Sequence, residues 1–319
     1  MSASGSTKTS NRNAPAVRKR TVIQRLAASW QLYLCLAPAL LYMSIFHYAP
    51  IYGLQIAFKN FMPARKIMGS PWVGFKHFIT FLQSVQFPIL MRNTVLISVY
   101  SLIFGFPIPI ILALMLNEMM NLKFKKFVQN ATYIPYFIST VVAVAIIINF
   151  TSPTIGIVNK LITFFGGAAV DFMGRSSAFR PLYVISGIWQ SMGWNSIIYF
   201  AALAGVDPQL YEAAQIDGAN RLQKIWHINI PGIAPTIIML FILNCGQLLN
   251  VGFEKVYLMQ NAINLDVSEV ISTYVYKVGI LSAQFSYTSA IGLFNTVINF
   301  SLLLIVNNIS KRVSETTLF

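Results

Sequence analysis

Residues 93–117 read NTVLISVYSLIFGFPIPIILALMLN, and this stretch contains no charged side chain. The apolar core of a bilayer is about 30 Å thick, so a helix needs about 20 consecutive apolar residues to cross it. The stretch meets that length. Pro107 and Pro109 lie near its middle, where neighbouring helices must satisfy the carbonyl groups that proline leaves without a donor. The sequence therefore predicts here a membrane-spanning α-helix that packs against other helices.

The composition of the whole chain indicates the same environment. Of its 319 residues, 56% are hydrophobic and 10% are charged, and the mean hydropathy is +0.63. A soluble domain carries about 25% charged residues. The formal net charge is +14, but the basic residues lie in the N-terminal segment and in loops, which is typical of a membrane topology signal. We therefore expect the chain to contact membrane lipid and not nucleic acid.

Further apolar windows accompany the first one. Together they cover residues 31–57, 93–117, 130–150, 181–205, 232–256 and 285–307. None of them has the period-two alternation of a membrane β-strand, so each predicts a helix. The sequence thus predicts an all-α integral membrane protein with six transmembrane helices in a domain from residue 30 to residue 310.

The segments outside this domain indicate its orientation. Residues 1–29 are rich in Ser, Thr and Asn and contain six basic residues and no acid, which predicts a disordered cytoplasmic tail. Six spans would return residues 311–319 to the same side as a second cytoplasmic tail. On the outer side, we expect Glu254 and Lys255 to anchor the end of the fifth window at the membrane interface.

The connector between the fourth and fifth windows is too polar to lie in the bilayer, and it falls on the predicted cytoplasmic side. Asp207 followed by Pro208 is typical of a helix start, with a side-chain acceptor at the N-cap and proline at the first helical position. Gly218 can end this helix in the left-handed conformation. Asn220 can cap a second short helix, which we expect Pro231 to close. The connector therefore predicts two short helices joined by a sharp turn.

The second half of this connector carries a recognisable spacing. The segment EAAQIDGANRLQKIWHINIP (212–231) resembles the EAA signature of ABC-importer permeases, EAA-x3-G-x9-I-x-L-P. The one departure is Ile230 in place of Leu, which conserves side-chain volume. We call residues 206–231 the signature loop.

The resemblance extends over most of the chain from about residue 30. The segments YIPYFIST (133–140), GIVNKLI (156–162) and GIWQSMGWNSIIYFAALAGVDPQLYEAAQIDGAN (187–220) are similar to the oligosaccharide and polysaccharide branch of these importers, alginate importers included. The resemblance implies the fold of a type I ABC-importer permease (MetI-like) in the bacterial inner membrane. It also implies an oligosaccharide substrate, acidic and alginate-like.

The same resemblance implies partners and a role for the signature loop. The partners are a second permease subunit, a dimer of ATPase subunits and a periplasmic solute-binding protein. The chain has no G-x-x-x-x-G-K-[ST] phosphate-binding loop, so we expect ATP and Mg to be bound by the partner ATPase and no cofactor by this chain. The loop is expected to form cytoplasmic coupling helices that dock on the ATPase, and the positions implied are Glu212, Ala213, Ala214, Gln215, Asp217, Gly218, Ile228 and Pro231.

A translocation path is predicted from polar and aromatic side chains in or near the last three windows. Amides and indoles suit the hydroxyls and rings of sugars, and they are costly to leave unpaired in a membrane. The predicted path residues are Trp189, Gln190, Asn195, Asn244, Gln247, Asn250, Asn295 and Asn299. Hydrogen bonding between helices is the alternative role for each of them.

Three other functional classes fit parts of this pattern, and one of them, a structural membrane scaffold, is excluded only by the signature loop. An ion-coupled secondary transporter is the main alternative, but such carriers place Asp, Glu or His inside their spans, and windows two, three, four and six contain none. A membrane enzyme is also disfavoured. The outer loops lack paired carboxylates or a nucleophile with its base, and three histidines leave little scope for a metal site. We therefore expect neither catalytic residues nor metal ligands.

Overall fold

The computed structural model of the protein describes residues 29–313. The predicted tail of residues 1–29 lies outside this range except for its last residue. At the other end, the last helix continues through Lys311 and Arg312 to Val313. The predicted second tail therefore begins inside a helix, and its remaining residues lie outside the described part.

The regular secondary structure of the described residues is helical, and an isolated bridge between Lys59 and Trp72 is their only β-type pairing. Its helices are α1 (Trp30–Met43), α2 (Lys66–Gly69), α3 (Lys76–Leu82), α4 (Gln86–Gly105), α5 (Pro107–Glu118), α6 (Leu122–Tyr133), α7 (Thr140–Thr151), α8 (Ile157–Phe164), α9 (Ser176–Leu203), α10 (Pro208–Ile216), α11 (Arg221–Lys224), α12 (Ile230–Cys245), α13 (Phe253–Met259), α14 (Leu265–Ser268), α15 (Ile271–Tyr276) and α16 (Phe285–Val313). Tighter 3₁₀ segments are Ala49–Phe58, Pro63–Arg65 and Ile134–Phe137, and wider π segments are Ser44–Tyr48, Ile225–Asn229 and Lys277–Leu281.

The described residues divide into two compact units, with the boundary between Leu54 and Gln55. In the smaller unit, α1 is apolar on all sides and none of its residues is buried. Side chains such as Leu32 and Leu34 are 72% and 62% exposed. A helix that is apolar on every face is stable only where lipid or another protein covers it.

The larger unit is built around α9. This helix packs against α4, α5, α6 and α12, so it lies at the centre of the unit. The buried apolar side chains form three clusters. The first contains Ile97, Val144, Phe179, Val251, Val256, Met259 and Val270, the second Ala113, Leu114, Tyr199, Leu203 and Ile233, and the third Phe81, Leu90, Ile271 and Ile291.

Four helices of the described residues are long and apolar enough to cross a membrane, namely Trp30–Phe58, Gln86–Glu118, Arg221–Cys245 and Phe285–Arg312. A fifth crossing results if the bent pair Leu122–Phe137 and Thr140–Thr151 is one span. The fourth predicted window lies in α9, which has 28 residues but is interrupted by polar side chains. The membrane-helix architecture is confirmed, and the count of six spans stays a prediction.

The third and fifth windows differ from the structure in shape. The third window is not one straight helix, because the chain bends by 106° between Phe137 and Thr140. Pro135 lies in a tight 3₁₀ turn there, and the Ser139 hydroxyl accepts from the Val142 N–H to start the next helix. The helix of the fifth window runs from residue 221 to residue 245, and not from 232 to 256.

Gly193 allows α9 to approach α6 closely. A Cβ atom at this position would lie 2.1 Å from the carbonyl oxygen of Thr132 and 2.4 Å from its carbonyl carbon. These are backbone atoms, so no side-chain rotation can relieve the clash. Only glycine fits where the two helices cross.

We predict that Gly193→Ala destabilises the protein by about 1–3 kcal/mol, the usual cost of overpacking a close contact. The matched control is Gly292→Ala, because Gly292 also lies in a helix but would place its Cβ in open space. Thermal unfolding of the two detergent-solubilised variants measures the difference. Equal melting temperatures would contradict the close contact between α6 and α9.

Candidate functional site

The first helix of the signature loop is fixed at both ends by its own residues. Asp207 caps α10, and its side chain accepts from the Gln209 N–H at 2.9 Å. Gly218 follows the helix with φ of 74°. The next N–H groups then bond back into the helix, with the Ala219 N–H donating to the Ala214 carbonyl at 2.8 Å. These bonds satisfy carbonyl groups at the end of α10. The predicted helix after Asp207 and the predicted turn at Gly218 are confirmed.

The second helix begins as predicted and then continues further than predicted. Asn220 and Gln223 form a reciprocal capping box at its start. The expectation that Pro231 closes this helix is wrong, because the chain runs on through the π segment Ile225–Asn229 into α12. A π segment shifts the local hydrogen bonding, and proline lies at the start of the next α-helical segment, where its missing N–H is tolerated. The loop is thus joined rigidly to a membrane helix.

The residues of the EAA pattern are displayed at the surface of the chain. Glu212, Ala213, Gln215, Asp217 and Gly218 are exposed. Ala214 and Ile228 are half-buried and Pro231 is exposed. The neighbouring Ile216 is 87% exposed, although the segment around it is polar.

A buried polar contact ties α10 to two membrane helices. The Tyr211 hydroxyl donates to Oδ1 of Asn229, and Nδ2 of Asn229 donates to Oε1 of Glu118 at 3.2 Å. Asn229 is completely buried. Burial raises the pKa of the Tyr211 phenol above its ordinary value, against a hydrogen bond with Asn117 that lowers it, and the Glu118 carboxylate also raises it. The phenol therefore stays protonated and can donate. We call Tyr211, Asn229 and Glu118 the loop latch.

A cavity of about 960 Å³ lies within the larger unit, between α4, α9, the break before α7 and the segment that follows α12. Aromatic rings line one part of it. Tyr136 and Trp194 stack with ring centroids 4.6 Å apart and planes 3° from parallel, and Phe137 meets Trp194 edge-on at 5.7 Å. The cavity thus combines flat ring faces with the amide groups described below.

Comparison with known proteins decides the family. Residues 105–315 match the family described as binding-protein-dependent transport system inner membrane component. A polygalacturonan/rhamnogalacturonan transport system permease protein, YteP of Bacillus subtilis (strain 168), is 43% identical over 97% of this chain and 98% of its own. The chain belongs to the sugar ABC-transporter permeases. It is therefore a membrane subunit of a transport complex and not itself an enzyme.

Solved structures agree with this assignment. A bacterial ABC transporter involved in the import of the acidic polysaccharide alginate contains a chain that matches the permease with a TM-score of 0.85 and 40% identity, over 92% of this chain and 100% of that one. The bacterial alginate ABC transporter in complex with an alginate pentasaccharide-bound periplasmic protein matches with a TM-score of 0.86 and 39% identity, over 94% and 100%. The predicted MetI-like permease fold is confirmed, and the alternative of an ion-coupled carrier is not supported.

Five of the eight predicted path residues line the cavity of the permease. They are Gln190, Asn195, Asn244, Gln247 and Asn250. Some of these amides also bond to the protein, since Gln190 Nε2 donates to the Ile138 carbonyl at 3.0 Å and Asn244 Nδ2 to the Leu240 carbonyl at 2.7 Å. The oxygens of Gln190, Asn195 and Asn244 can still accept from a hydroxyl group, whereas Oδ1 of Asn250 already accepts two hydrogen bonds. Their role in transport stays a prediction.

The other three predicted path residues do not line the cavity. Asn295 and Asn299 both donate to Oδ1 of Asn250, at 3.0 and 3.1 Å, and Oδ1 of Asn299 accepts from the Leu249 N–H at 3.0 Å. These two side chains join α16 to the segment that follows α12. Trp189 is half-buried on α9, away from the lining.

Sequence reasoning did not identify the aromatic lining or Lys255. Tyr136, Phe137 and Trp194 lie in segments that carry the family resemblance, but an aromatic residue in an apolar run does not by itself indicate a cavity. Lys255 was expected at the membrane interface. It is instead 9% exposed and lines the cavity, because the chain turns back after Cys245 and forms α13.

Within residues 29–313, no group of three or more His, Cys, Asp and Glu side chains is arranged to hold a metal ion. The candidate site of this permease has two described parts. One is the cavity around α9, and the other is the signature loop with its latch.

We predict that Tyr211→Phe weakens the loop latch, because a completely buried Asn229 loses a donor, at a cost of about 1–3 kcal/mol. Amide hydrogen exchange should become faster in residues 207–218 and stay unchanged in α9. Tyr257→Phe is the control, since it also removes a hydroxyl, from a partly exposed tyrosine outside the loop. The latch would be contradicted by identical exchange in the loops of both variants.

Proposed function

We propose that this permease moves an acidic oligosaccharide across the bacterial inner membrane, paired with a second permease and supplied by a periplasmic binding protein. A separate ATPase dimer, which binds the ATP and Mg, drives the movement. The observation that carries this proposal is the aromatic and amide-lined cavity, in a chain similar at 40% identity to a permease chain of an alginate importer. Alginate and polygalacturonan are both polymers of uronic acids, so each of their rings carries a carboxylate.

The chemistry of the cavity suits a sugar in transit. The stacked rings of Tyr136 and Trp194 offer flat faces to the apolar faces of sugar rings. The amides of Asn195 and Gln247 offer donors and acceptors to hydroxyl groups. A path must bind its solute well enough to admit it and weakly enough to release it. Dispersed amides and ring faces, without a closed cage, meet that requirement.

The signature loop is the proposed docking site of the ATPase. Ile216, Leu222 and Trp226 of the loop are 87%, 68% and 66% exposed, and several exposed apolar side chains in one short segment support an interface with another protein. Glu212, Gln215 and Asp217 are exposed on the same loop and offer polar contacts to that partner. The caps of α10 and the continuous helix Arg221–Cys245 make the loop a stiff lever, so a movement of the ATPase is carried into the membrane.

Basic residues support a cytoplasmic position for the loop and for both chain termini. The Arg221 guanidinium contacts the sulfur of Met120 at 3.4 Å, which brings the start of the long helix next to the connector between α5 and α6. Lys123, Lys125 and Lys126 lie directly after that connector, at the start of α6. Lysine and arginine are enriched in cytoplasmic loops. We infer that this end of the molecule faces the cytoplasm.

The substrate is tested with the complete importer in liposomes. ATP hydrolysis and uptake should rise with a binding protein loaded with a uronic-acid oligosaccharide, and far less with one loaded with a neutral oligosaccharide of equal length. Equal stimulation by both sugars would contradict the acidic substrate while leaving the family assignment intact.

For the coupling role, we predict that Glu212→Lys abolishes binding-protein-stimulated ATP hydrolysis, because it reverses charge at the docking surface. The variant should still insert in the membrane, since Glu212 is exposed and no core contact changes. Lys160→Glu is the control, an equally large charge reversal at an exposed residue of α8 outside the loop. Retention of the original stimulated rate by Glu212→Lys would rule out this docking surface.

A further inference from the structure

Lys255 is the one charged residue among the described residues that line the cavity. It lies on α13, and its side chain is buried with its ammonium near α9. The remaining lining residues are apolar, aromatic, hydroxyl-bearing or amide-bearing. A single cation is therefore placed inside an otherwise neutral cavity.

The contacts of Lys255 leave its charge uncompensated. In the described part of the chain the sole ion pair joins Lys277 to Glu269 at 2.9 Å, so no carboxylate lies within 4.0 Å of Lys255 there. Its Nζ donates to the Tyr183 carbonyl at 3.2 Å and lies 5.0 Å from the centre of the Tyr183 ring. An ammonium has three N–H donors, and the described contacts use one.

A purely structural role does not require this lysine. The Tyr183 carbonyl already accepts from the Ser186 hydroxyl at 3.1 Å, so the carbonyl is satisfied without a cation. A buried charge without an ionic partner costs several kcal/mol. Such a cost is offset when an anionic ligand supplies the missing partner.

The helix facing Lys255 leaves room for the ammonium. A Cβ atom at Gly187 would lie 3.5 Å from Nζ, an ordinary contact distance, so the ammonium lies directly beside this glycine. Gln190, Asn250 and Lys255 line the same cavity. A carboxylate on a sugar ring can thus meet the ammonium while its hydroxyls meet the amides.

We propose that Lys255 recognises the carboxylate groups of the transported oligosaccharide and gives the permease its preference for acidic sugars. This inference rests on the proposed function and adds a residue to it. The ammonium binds the carboxylate of each passing sugar ring in turn. A single charged contact is weak enough to release one carboxylate before the next one arrives.

The test compares uptake of two sugars by the complete importer in liposomes. One is a uronic-acid oligosaccharide, and the other is the same chain with part of its carboxylates reduced to alcohols, each supplied on loaded binding protein. Lys255→Met, which keeps length and removes charge, should lower uptake of the acidic sugar about tenfold, the effect of one charged hydrogen bond. Uptake of the reduced sugar, which keeps fewer carboxylates, should fall less, and Lys255→Arg should retain the preference.

Lys160→Met is the matched control, because it removes an exposed lysine from α8 outside the cavity lining. It should leave both rates as they are. An equal fall for both sugars in Lys255→Met, or an unchanged preference, would overturn the role of Lys255. Failure of the unmodified importer to take up the acidic sugar at all would instead overturn the proposed substrate.

A second measurement needs no substitution. A carbodiimide activates a sugar carboxylate, which then forms an amide with a lysine amine that it contacts. In the unmodified importer during transport, mass spectrometry should find the sugar on the peptide that contains Lys255 and not on the peptide that contains Lys160. Sugar on neither peptide, or equally on both, would overturn the proposal.

Discussion

The structure depends on one constraint, which is that a backbone polar group inside a membrane must find its hydrogen bond within the protein. Continuous helices meet this requirement by themselves. Where a helix is interrupted, side-chain oxygens accept hydrogen bonds from backbone N–H groups that have lost their helical partners. The Ser139 hydroxyl accepts from the Val142 N–H after the bend at residue 138, and Oδ1 of Asn299 accepts from the Leu249 N–H in the segment that follows Cys245. These interruptions create the cavity.

The same two interruptions give the cavity its chemistry. The bend places Tyr136 and Phe137 beside Trp194 of α9, and the segment after Cys245 brings Gln247 and Asn250 into the lining of the same cavity. Amides in this protein thus have two separate roles. Asn299 accepts from the backbone N–H of Leu249, and Asn295 donates to the side chain of Asn250. Asn195 and Gln247, in contrast, line the cavity.

The signature loop is a stiff element joined to the membrane helices. Its two short helices are capped by their own side chains, so they need little support from elsewhere. The loop latch then connects α10 to the ends of two membrane helices. Buried Asn229 is central to this connection, because it accepts from Tyr211 and donates to Glu118. The latch is thus a direct side-chain connection between α10 and the helices that continue toward the cavity.

Much of this protein could be predicted from local sequence. The apolar runs identified its membrane helices, because length and hydrophobicity decide whether a segment is stable in lipid. Asp207, Gly218 and Asn220 identified the ends of the short helices, because capping involves residues only a few positions apart. The EAA spacing identified the family for the same reason, since all its positions lie in one loop.

Tertiary structure alone decided the rest. Tyr136, Trp194 and Lys255 are far apart in the chain. They line the same cavity only because α9 packs at the centre of the larger unit. A lysine at the end of an apolar run has the same local pattern whether it faces lipid headgroups or a cavity. Its burial depended on where the chain turned after Cys245, and the packing of distant helices determined that turn.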